Sequence, residues 1–142
     1  MEQNTKSKLT IMETSQQPQF KEDWEIQWEK CKPLIEKAVK YQDAYTIEYI
    51  EDKIKNGTAL LWPGKESAFI TEVVVYPNYH VLNILCFSGN YDEFEKMYPT
   101  IENFAKEIKA KKLIAGGRKG WLRKIKHLGW KQDNYISKEI GV

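Results

Sequence analysis

The sequence has few of the residues that build metal sites or disulfide frameworks. It contains two cysteines among 142 residues, Cys31 and Cys86, and no CxxC pair or Cys/His cluster accompanies them. We therefore expect no metal site and reduced thiols, with Cys86 buried in an apolar run. The two histidines, His80 and His127, have no Ser or Cys partner in the pattern, so a hydrolase triad has no support.

Long apolar runs are also missing. No stretch approaches the ~20 apolar residues of a membrane span, and the first twenty residues lack the apolar middle region of a signal peptide. Charge is close to balance, with 22 basic and 20 acidic residues, which does not favour general nucleic-acid binding. These absences predict a protein without membrane insertion that is kept inside a cell or packaged into a particle assembled there.

Apolar and aromatic residues are abundant enough for one folded domain. Hydrophobic residues make up 42% of the chain, with five Trp and eight Tyr, and this length is typical of a single domain. Residues 1–19 are poor in apolar side chains and predict a flexible N-terminal arm before a single domain at 20–142. The arm is either a disordered tail or a segment that orders on a partner through Leu9, Ile11 and Met12.

Hydrophobic periodicity predicts an α/β domain in which helices alternate with short strands. Strands 67–76 and 81–87 are apolar almost throughout, so they are expected at the centre of a sheet with helices on both faces. Strand 112–115 is also expected to be buried. The predicted helices span residues 20–41, 46–56, 90–108 and 121–128, and the predicted strands span 59–62, 67–76, 81–87, 112–115 and 130–140.

Several residues mark where the helices begin or bend. Thr46 and Asn90 are the expected N-caps, and Glu93 is the expected capping-box partner of Asn90. Pro33 either kinks the first helix or opens a second one at its first turn. Pro99 is expected to bend the helix that follows Asn90.

The last eighty residues carry a recognisable order of elements. A strand, a loop and a helix lead to Leu128-Gly129-Trp130 and a closing strand. This ending is similar to the leucine–glycine–aromatic joint of the GNAT acetyltransferase superfamily, whose core the segment resembles. The resemblance implies a GNAT-like central mixed sheet with helices on both faces.

Four short pieces of the chain carry a narrower resemblance: Trp28-Glu29-Lys30-Cys31-Lys32-Pro33, Leu61-Trp62-Pro63-Gly64, Thr71-Glu72-Val73 and Gly117-Arg118-Lys119-Gly120-Trp121. Through them, residues 24–140 resemble small GNAT-like proteins of short-tailed bacteriophages, some of them named internal virion proteins. The resemblance implies a virion-associated protein that contacts other phage virion proteins, located in the virion or in the cytoplasm of the infected bacterium.

The superfamily holds the pyrophosphate of acyl-CoA in a loop with two or more glycines and a basic residue, before a helix N-terminus. The equivalent stretch here has one glycine and no basic residue, and Asp92 and Glu93 follow, where they would repel a phosphate. This departure favours a protein without a cofactor; if the chain is an enzyme, the cofactor is acetyl-CoA. The residues that the resemblance assigns to cofactor binding are Phe87, Ser88, Gly89 and Asn90, with Arg118 and Lys119 assisting.

Acyl transfer in this fold needs a general base and an acid for the departing thiolate. Glu72 on the long strand and Tyr135 on the closing strand are the candidates for these roles. Glu72 is either a base whose pKa is raised by apolar neighbours or a side chain that faces water.

A basic surface is expected along the helix after residue 120. It is either the wet face of an amphipathic helix or a docking surface for an acidic partner or for DNA packed nearby without sequence specificity. A tyrosine group near the hairpin is expected to be either an interface or the rim of the core. The basic residues are Arg118, Arg123, Lys124 and Lys126, and the tyrosines are Tyr76, Tyr79, Tyr91 and Tyr98.

The sequence favours a phage-type, virion-associated accessory protein that is non-catalytic and acts through protein–protein contacts. The alternative is an acyl-CoA-dependent N-acetyltransferase acting on a small amine or a host protein. A third hypothesis, an inhibitor of a host defence protein, has no residue-level support.

Overall fold

Four strands form one mixed sheet, and their spatial order follows their order in the chain. The computed structural model describes residues 24–116 and 120–141. Strands β1 (Leu60–Pro63), β2 (Ala68–Val75) and β3 (His80–Ser88) are antiparallel neighbours, and β4 (Leu113–Ala115) pairs with β3 in parallel. The two strands with the most continuous apolar sequence, β2 and β3, are therefore central, as predicted.

Two helices precede the sheet and cover one of its faces. Helices α1 (Trp24–Val39) and α2 (Ile47–Lys55) lie against the strand residues that point to this side. Successive side chains of a strand alternate between the two faces of the sheet. In β1, Leu61 therefore points towards α1 and α2, and Leu60 and Trp62 point to the opposite face. The buried cluster on this face contains Trp28, Cys31, Ile35, Ile50, Ile54, Ala59, Leu61, Ala68, Ile70 and Cys86.

The opposite face is covered by helices from the second half of the chain. Helix α3 (Tyr91–Glu107) connects β3 to β4, and the short helix α4 (Trp121–Ile125) continues as a 3₁₀ turn at Lys126–Leu128. The larger buried cluster lies here and contains Leu60, Trp62, Phe69, Val73, Leu82, Ile84, Phe94, Tyr98, Ile101, Phe104, Ala105, Ile108 and Ile125. In the described part of the chain, every helix is too short or too polar to cross a bilayer.

The helix boundaries follow the predicted capping residues, whereas the prolines do not end a helix. The Thr46 hydroxyl accepts a hydrogen bond from the Tyr49 amide at 3.2 Å, which caps α2. Helix α1 continues through Pro33 as a single element, and α3 continues through Pro99. Burial of apolar residues on both sides of each proline offsets the lost backbone hydrogen bond.

Three sequence predictions are wrong. Residues 130–141 are not a strand; they form no regular structure, and residues 131–141 are exposed. Strand β4 is not buried, because it is an edge strand whose last residue, Ala115, is exposed. Tyr98 is not a surface tyrosine either; it is 5% exposed inside the larger cluster, while Tyr76 and Tyr79 are exposed at the hairpin.

A β-bulge interrupts the pairing of the central strands. Ile70 pairs with Cys86 and Thr71 pairs with Ile84, so β3 carries one extra residue, Leu85. The Tyr45 hydroxyl donates a hydrogen bond to the Leu85 carbonyl at 2.6 Å. Burial, followed by the neighbouring Cys86 and Glu72, raises the pKa of Tyr45 to about 12, so this donor keeps its proton.

Candidate functional site

A groove of about 640 Å³ opens where the loop after β3 meets the start of α4. It brings together the predicted cofactor loop and the helix that carries the predicted basic surface. The mixture of small, aromatic and basic residues suits an extended polar ligand that has negative charge. The lining residues are Gly89, Asn90, Tyr91, Gly120, Trp121, Arg123 and Lys124.

Gly89 is fixed by packing against the turn between β1 and β2. A Cβ at this position would lie 2.2 Å from the Cβ of Ser67 and 2.9 Å from its Cα. The φ angle of Gly89 is also +140°, a conformation that L side chains rarely adopt. The close approach of two backbone segments therefore accounts for the one glycine of this loop without any ligand.

Asn90 caps α3 as predicted, but Glu93 does not complete a capping box. The Asn90 side chain accepts a hydrogen bond from the Glu93 amide at 2.9 Å. The Glu93 carboxylate accepts hydrogen bonds from the Ser67 hydroxyl and from the Glu66 amide, the latter at 3.0 and 3.1 Å. Ser67 and Glu66, which are distant in sequence, therefore take the place of the Asn90 amide as hydrogen-bond donors to the Glu93 carboxylate.

This arrangement leaves a carboxylate at the beginning of α3. The Ser67 hydrogen bond, opposed by desolvation and aided by the backbone amides of Glu66 and Lys65, holds the pKa of Glu93 below its ordinary value. The side chain is therefore negatively charged near pH 7. A negative charge fixed in the first turn of the helix disfavours a second anion there, including the pyrophosphate of acyl-CoA.

Aromatic rings and a lysine form the other side of the groove. The Tyr91 and Trp121 ring centroids lie 6.4 Å apart, and the Lys124 amine lies 5.8 Å and 5.7 Å from them. The Tyr91 hydroxyl donates to the Lys124 carbonyl at 2.9 Å or to the Glu95 carboxylate at 3.2 Å. These contacts join the start of α3 to α4 and hold a cation at the groove.

The exposed face of α4 and its 3₁₀ turn carries unpaired positive charge. Arg123, Lys124 and Lys126 are exposed, and no carboxylate of the described residues lies within 4.0 Å of their charged nitrogens. His127 is different, because its Nε2 lies 3.6 Å from the Glu95 carboxylate. Three predicted partner-binding residues are therefore exposed, and two of them, Arg123 and Lys124, line the groove.

Glu72, the candidate general base, lies on the face of the sheet opposite the groove, where it forms a polar contact with α2. Its carboxylate is 3.0 Å from the Lys53 amine and accepts a hydrogen bond from the Asn83 amide at 2.9 Å. The Glu72 side chain is 15% exposed, so it neither faces water freely nor lines the groove. Burial lowers the pKa of Lys53, but the hydrogen bond and charge of Glu72, with Tyr49, outweigh it and raise the pKa overall.

The remaining predicted site residues do not form a catalytic group. Tyr135 is 87% exposed in the irregular C-terminal segment, rather than on a closing strand beside Glu72. Phe87 stacks in the aromatic cluster, 4.6 Å from Phe69 and 5.9 Å from Trp121 between ring centroids, and Ser88 pairs with Ala68 at the end of β3. The structure therefore places Gly89 and Asn90, but not Phe87 and Ser88, at the groove.

Some predicted residues lie outside the described part of the chain. These are Arg118 and Lys119, which are expected to assist cofactor binding, and Leu9, Ile11 and Met12 of the arm. Gly120, which follows the first two, lines the groove and has a φ of +101°.

Sequence reasoning missed two residues that carry much of the site. Trp121 is not among the predicted site residues, and it is half-buried as a wall of the groove. The signal was its position as the first residue of a helix that begins after a glycine. Lys53 was also missed as the partner of Glu72, because the two residues are brought together only by the packing of α2 on the sheet.

Among the residues that the structure describes, no three His, Cys, Asp or Glu side chains come together as metal ligands. Comparison with known proteins gave no match: no protein-family model, no curated protein and no solved structure matches this chain.

Proposed function

We propose that this protein is a non-catalytic binding protein whose groove and basic helix take up an acidic segment of a partner protein. The observation that carries the proposal is the exposed positive charge of Arg123, Lys124 and Lys126, which no carboxylate of the described residues pairs within 4.0 Å. Unpaired exposed cations attract carboxylates, and Tyr, Trp and Arg are the residues most enriched at protein interfaces.

The character of the groove favours a peptide chain as its occupant. The rings of Tyr91 and Trp121 offer apolar contact, while Lys124 stays close enough to both rings to remain ordered. A segment that alternates apolar and acidic side chains places an apolar group on the rings and a carboxylate on the cations. Binding of this kind weakens as salt rises, because the charged contacts are exposed.

The polar residues that acyl transfer would use are engaged in structural roles, which supports a binding protein over an enzyme. Glu72 holds α2 to the sheet through Lys53. Glu93 holds α3 to the turn between β1 and β2. Gly89 is required for that same close approach. A general base, a phosphate loop and an acid at the end of the chain would each need a different arrangement.

The resemblance to small proteins of short-tailed phages supports a location in the virion, with other virion proteins as the partners. DNA packed nearby is a second source of negative charge for the same basic surface, although the near-balanced total charge favours protein. Mass spectrometry of purified virions tests the location. Absence of the chain from the particle would contradict it.

Titration with a short peptide of alternating Glu and Leu, followed by Trp fluorescence, tests the binding surface. We expect Arg123→Gln, Lys124→Gln and Lys126→Gln together to weaken binding at least about tenfold, since each charge-assisted contact contributes about 0.5 kcal/mol or more. The matched control changes Lys37, Lys40 and Lys55 to Gln, which removes the same charge from exposed residues elsewhere. Equal weakening by both triple variants, or no binding by the unchanged protein, would contradict the proposal.

The alternative is an acyl-CoA-dependent N-acetyltransferase, and one observation favours it. The groove joins the loop after β3, the N-terminus of α3 and Gly120, which is where the superfamily resemblance places acyl-CoA. Calorimetry with acetyl-CoA tests this alternative, with Lys124→Gln as the informative variant because that residue is exposed. Micromolar binding that Lys124→Gln weakens, together with acetyl transfer to an amine, would replace our proposal with the enzyme.

A further inference from the structure

The C-terminal segment has the composition of a strand but no strand to pair with. Tyr135, Ile136 and Ile140 are 87%, 99% and 78% exposed. The structure shows no backbone–backbone hydrogen bond within residues 131–141. β-branched and aromatic residues of this kind favour strands, and such exposure leaves their apolar surface in contact with water.

The sheet has a free edge close to this segment. Strand β4 pairs with β3 on one side, and no described residue pairs with its other side. Leu113–Ala115 contains no charge or proline that would protect the edge from pairing. An exposed edge of this type accepts an added strand through its unpaired N–H and C=O groups.

The first residues of the segment are fixed, whereas its end extends away from the molecule. The Trp130 indole donates a hydrogen bond to the Tyr98 hydroxyl at 2.9 Å, and Asp133 forms an ion pair with Lys112 at 2.8 Å. The segment therefore starts beside Lys112, the residue immediately before β4. Because Ile136 is 99% exposed, the residues after Asp133 leave the edge of their own sheet uncovered.

We propose that residues 134–140 add as an antiparallel strand to the free edge of β4 in a second copy of this chain. The proposal is independent of the groove and of its partner. Each copy has both the free edge and the exposed segment, so a reciprocal exchange closes a two-fold symmetric dimer in which both edges are covered. The exposed Ile136 then packs against the half-buried Ile114 of the partner subunit.

One register of this pairing satisfies both the apolar and the charged residues. When Ile136 lies opposite Ile114 of the partner subunit, Glu139 lies opposite Lys111 of the partner subunit. Lys111 is exposed and contacts the Tyr79 ring, and no described carboxylate lies within 4.0 Å of it. The same register places Lys138 directly opposite Lys112 of the partner subunit, a like-charge pair that opposes pairing and whose repulsion the Lys112–Asp133 ion pair reduces. Opposed apolar and opposite-charge pairs are the units that stabilise a sheet.

Light scattering after size exclusion, over a range of concentrations, measures the oligomeric state. We expect a dimer for the full chain and a monomer after deletion of residues 134–142. Ile136→Pro removes one N–H of the strand and is also expected to give a monomer. The matched control is Ile26→Ser, which removes another exposed isoleucine, on α1, and should remain a dimer. A full-length monomer at all concentrations, or a dimer that survives the deletion, would overturn the proposal.

Cross-linking distinguishes exchange between copies from closure within one chain. Ile114→Cys and Ile136→Cys are made as separate variants, mixed, refolded together and oxidised. Paired residues of neighbouring strands are close enough for a disulfide, and the native Cys31 and Cys86 are buried and do not compete. We expect a disulfide-linked dimer from the mixture. No cross-link in the mixture, with an intrachain disulfide in the double variant, would show that the segment closes on its own sheet.

Discussion

The Glu93 carboxylate accepts a hydrogen bond from the Ser67 hydroxyl, so the first turn of α3 is fastened to the turn that joins β1 to β2. Ser67 is fully buried, and its carbonyl also accepts a hydrogen bond from the Gly64 amide at 2.7 Å. The Ser67–Glu93 contact joins the β1–β2 hairpin to the helix that connects β3 to β4. It also fixes the shape of the loop that lines the groove.

Loss of the Ser67–Glu93 contact is expected to destabilise the fold in a pH-dependent way. Ser67→Ala removes the donor from a partly buried carboxylate, and we expect a loss of about 1–3 kcal/mol in the free energy of unfolding at pH 7. Because the contact lowers the pKa of Glu93, its stabilising effect is complete above the ordinary value of 4.5 and is lost as pH falls below it.

Urea unfolding at pH 7 and at pH 3 measures this effect. The difference between the unchanged protein and Ser67→Ala should shrink at the lower pH. Asp92→Asn is the control, since it removes an exposed charge from the same helical turn without touching Ser67. An equal loss at both pH values would contradict the assignment.

The Lys53–Glu72 ion pair is expected to be structural. Both side chains are mostly buried, at 22% and 15% exposed, so removing one partner leaves the other charge poorly solvated. We expect Glu72→Gln to cost about 2 kcal/mol or more, and Lys53→Met with Glu72→Leu to cost less than either change alone. A double-mutant cycle by urea unfolding measures the coupling.

The more exposed Lys32–Glu51 pair, at 3.9 Å, serves as the comparison. Its disruption should cost less than about 1 kcal/mol. An unchanged free energy of unfolding in Glu72→Gln would contradict a structural role for this ion pair.

Gly89→Ala is expected to disrupt the fold rather than a ligand contact. The added Cβ overlaps Ser67, and φ is +140°, so we expect a loss of about 3 kcal/mol or more from strain and overpacking together. Gly57→Ala is the control, because Gly57 has φ +77° but open space around it; it should cost only about 1 kcal/mol. Thermal unfolding distinguishes the two variants, and similar midpoints would contradict the packing argument.

Neither cysteine is expected to react in the folded protein. Burial raises the pKa of Cys86 to about 12 and also raises that of Cys31. At pH 8 roughly one Cys86 thiol in ten thousand is then a thiolate, which is the nucleophilic form. A chromogenic disulfide reagent should modify both thiols quickly in urea and slowly in buffer. Rapid reaction of Cys86 in buffer would mean that the buried cluster beneath α1 and α2 opens readily in the folded protein.

The features that sequence predicts well are those determined by neighbouring residues. The apolar runs of β2 and β3 predict central strands, and Thr46 and Asn90 predict two helix starts because a cap needs only the next few residues. The Asn90–Glu93 capping box is only half realised, because its second half depends on distant residues. The Glu93 amide donates to Asn90, but the Glu93 carboxylate accepts from Ser67, which only the tertiary fold brings close.

The C-terminal segment also shows that local sequence does not determine tertiary partners. Residues 130–140 have strand-forming residues, but a strand also needs a hydrogen-bonded neighbour, and composition does not provide one. Pro33 shows the converse, since burial of Trp28 and Ile35 on either side keeps α1 a single helix, so the alternative of a second helix that begins at Pro33 is not realised. The sequence named Gly89, Asn90, Arg123 and Lys124 of the groove lining but not its aromatic wall, because that wall depends on how α4 packs on α3.

The strands lie in the sheet in the same order as in the chain, and this order affects how the sheet forms during synthesis. Strands β1, β2 and β3 are successive neighbours, so their pairing closes only short loops and proceeds quickly. A growing chain that has emerged from the ribosome as far as Ser88 already holds three of the four strands. The parallel strand β4 must wait until all of α3 has been synthesised, and during that interval the apolar edge of β3 is open to neighbouring nascent chains.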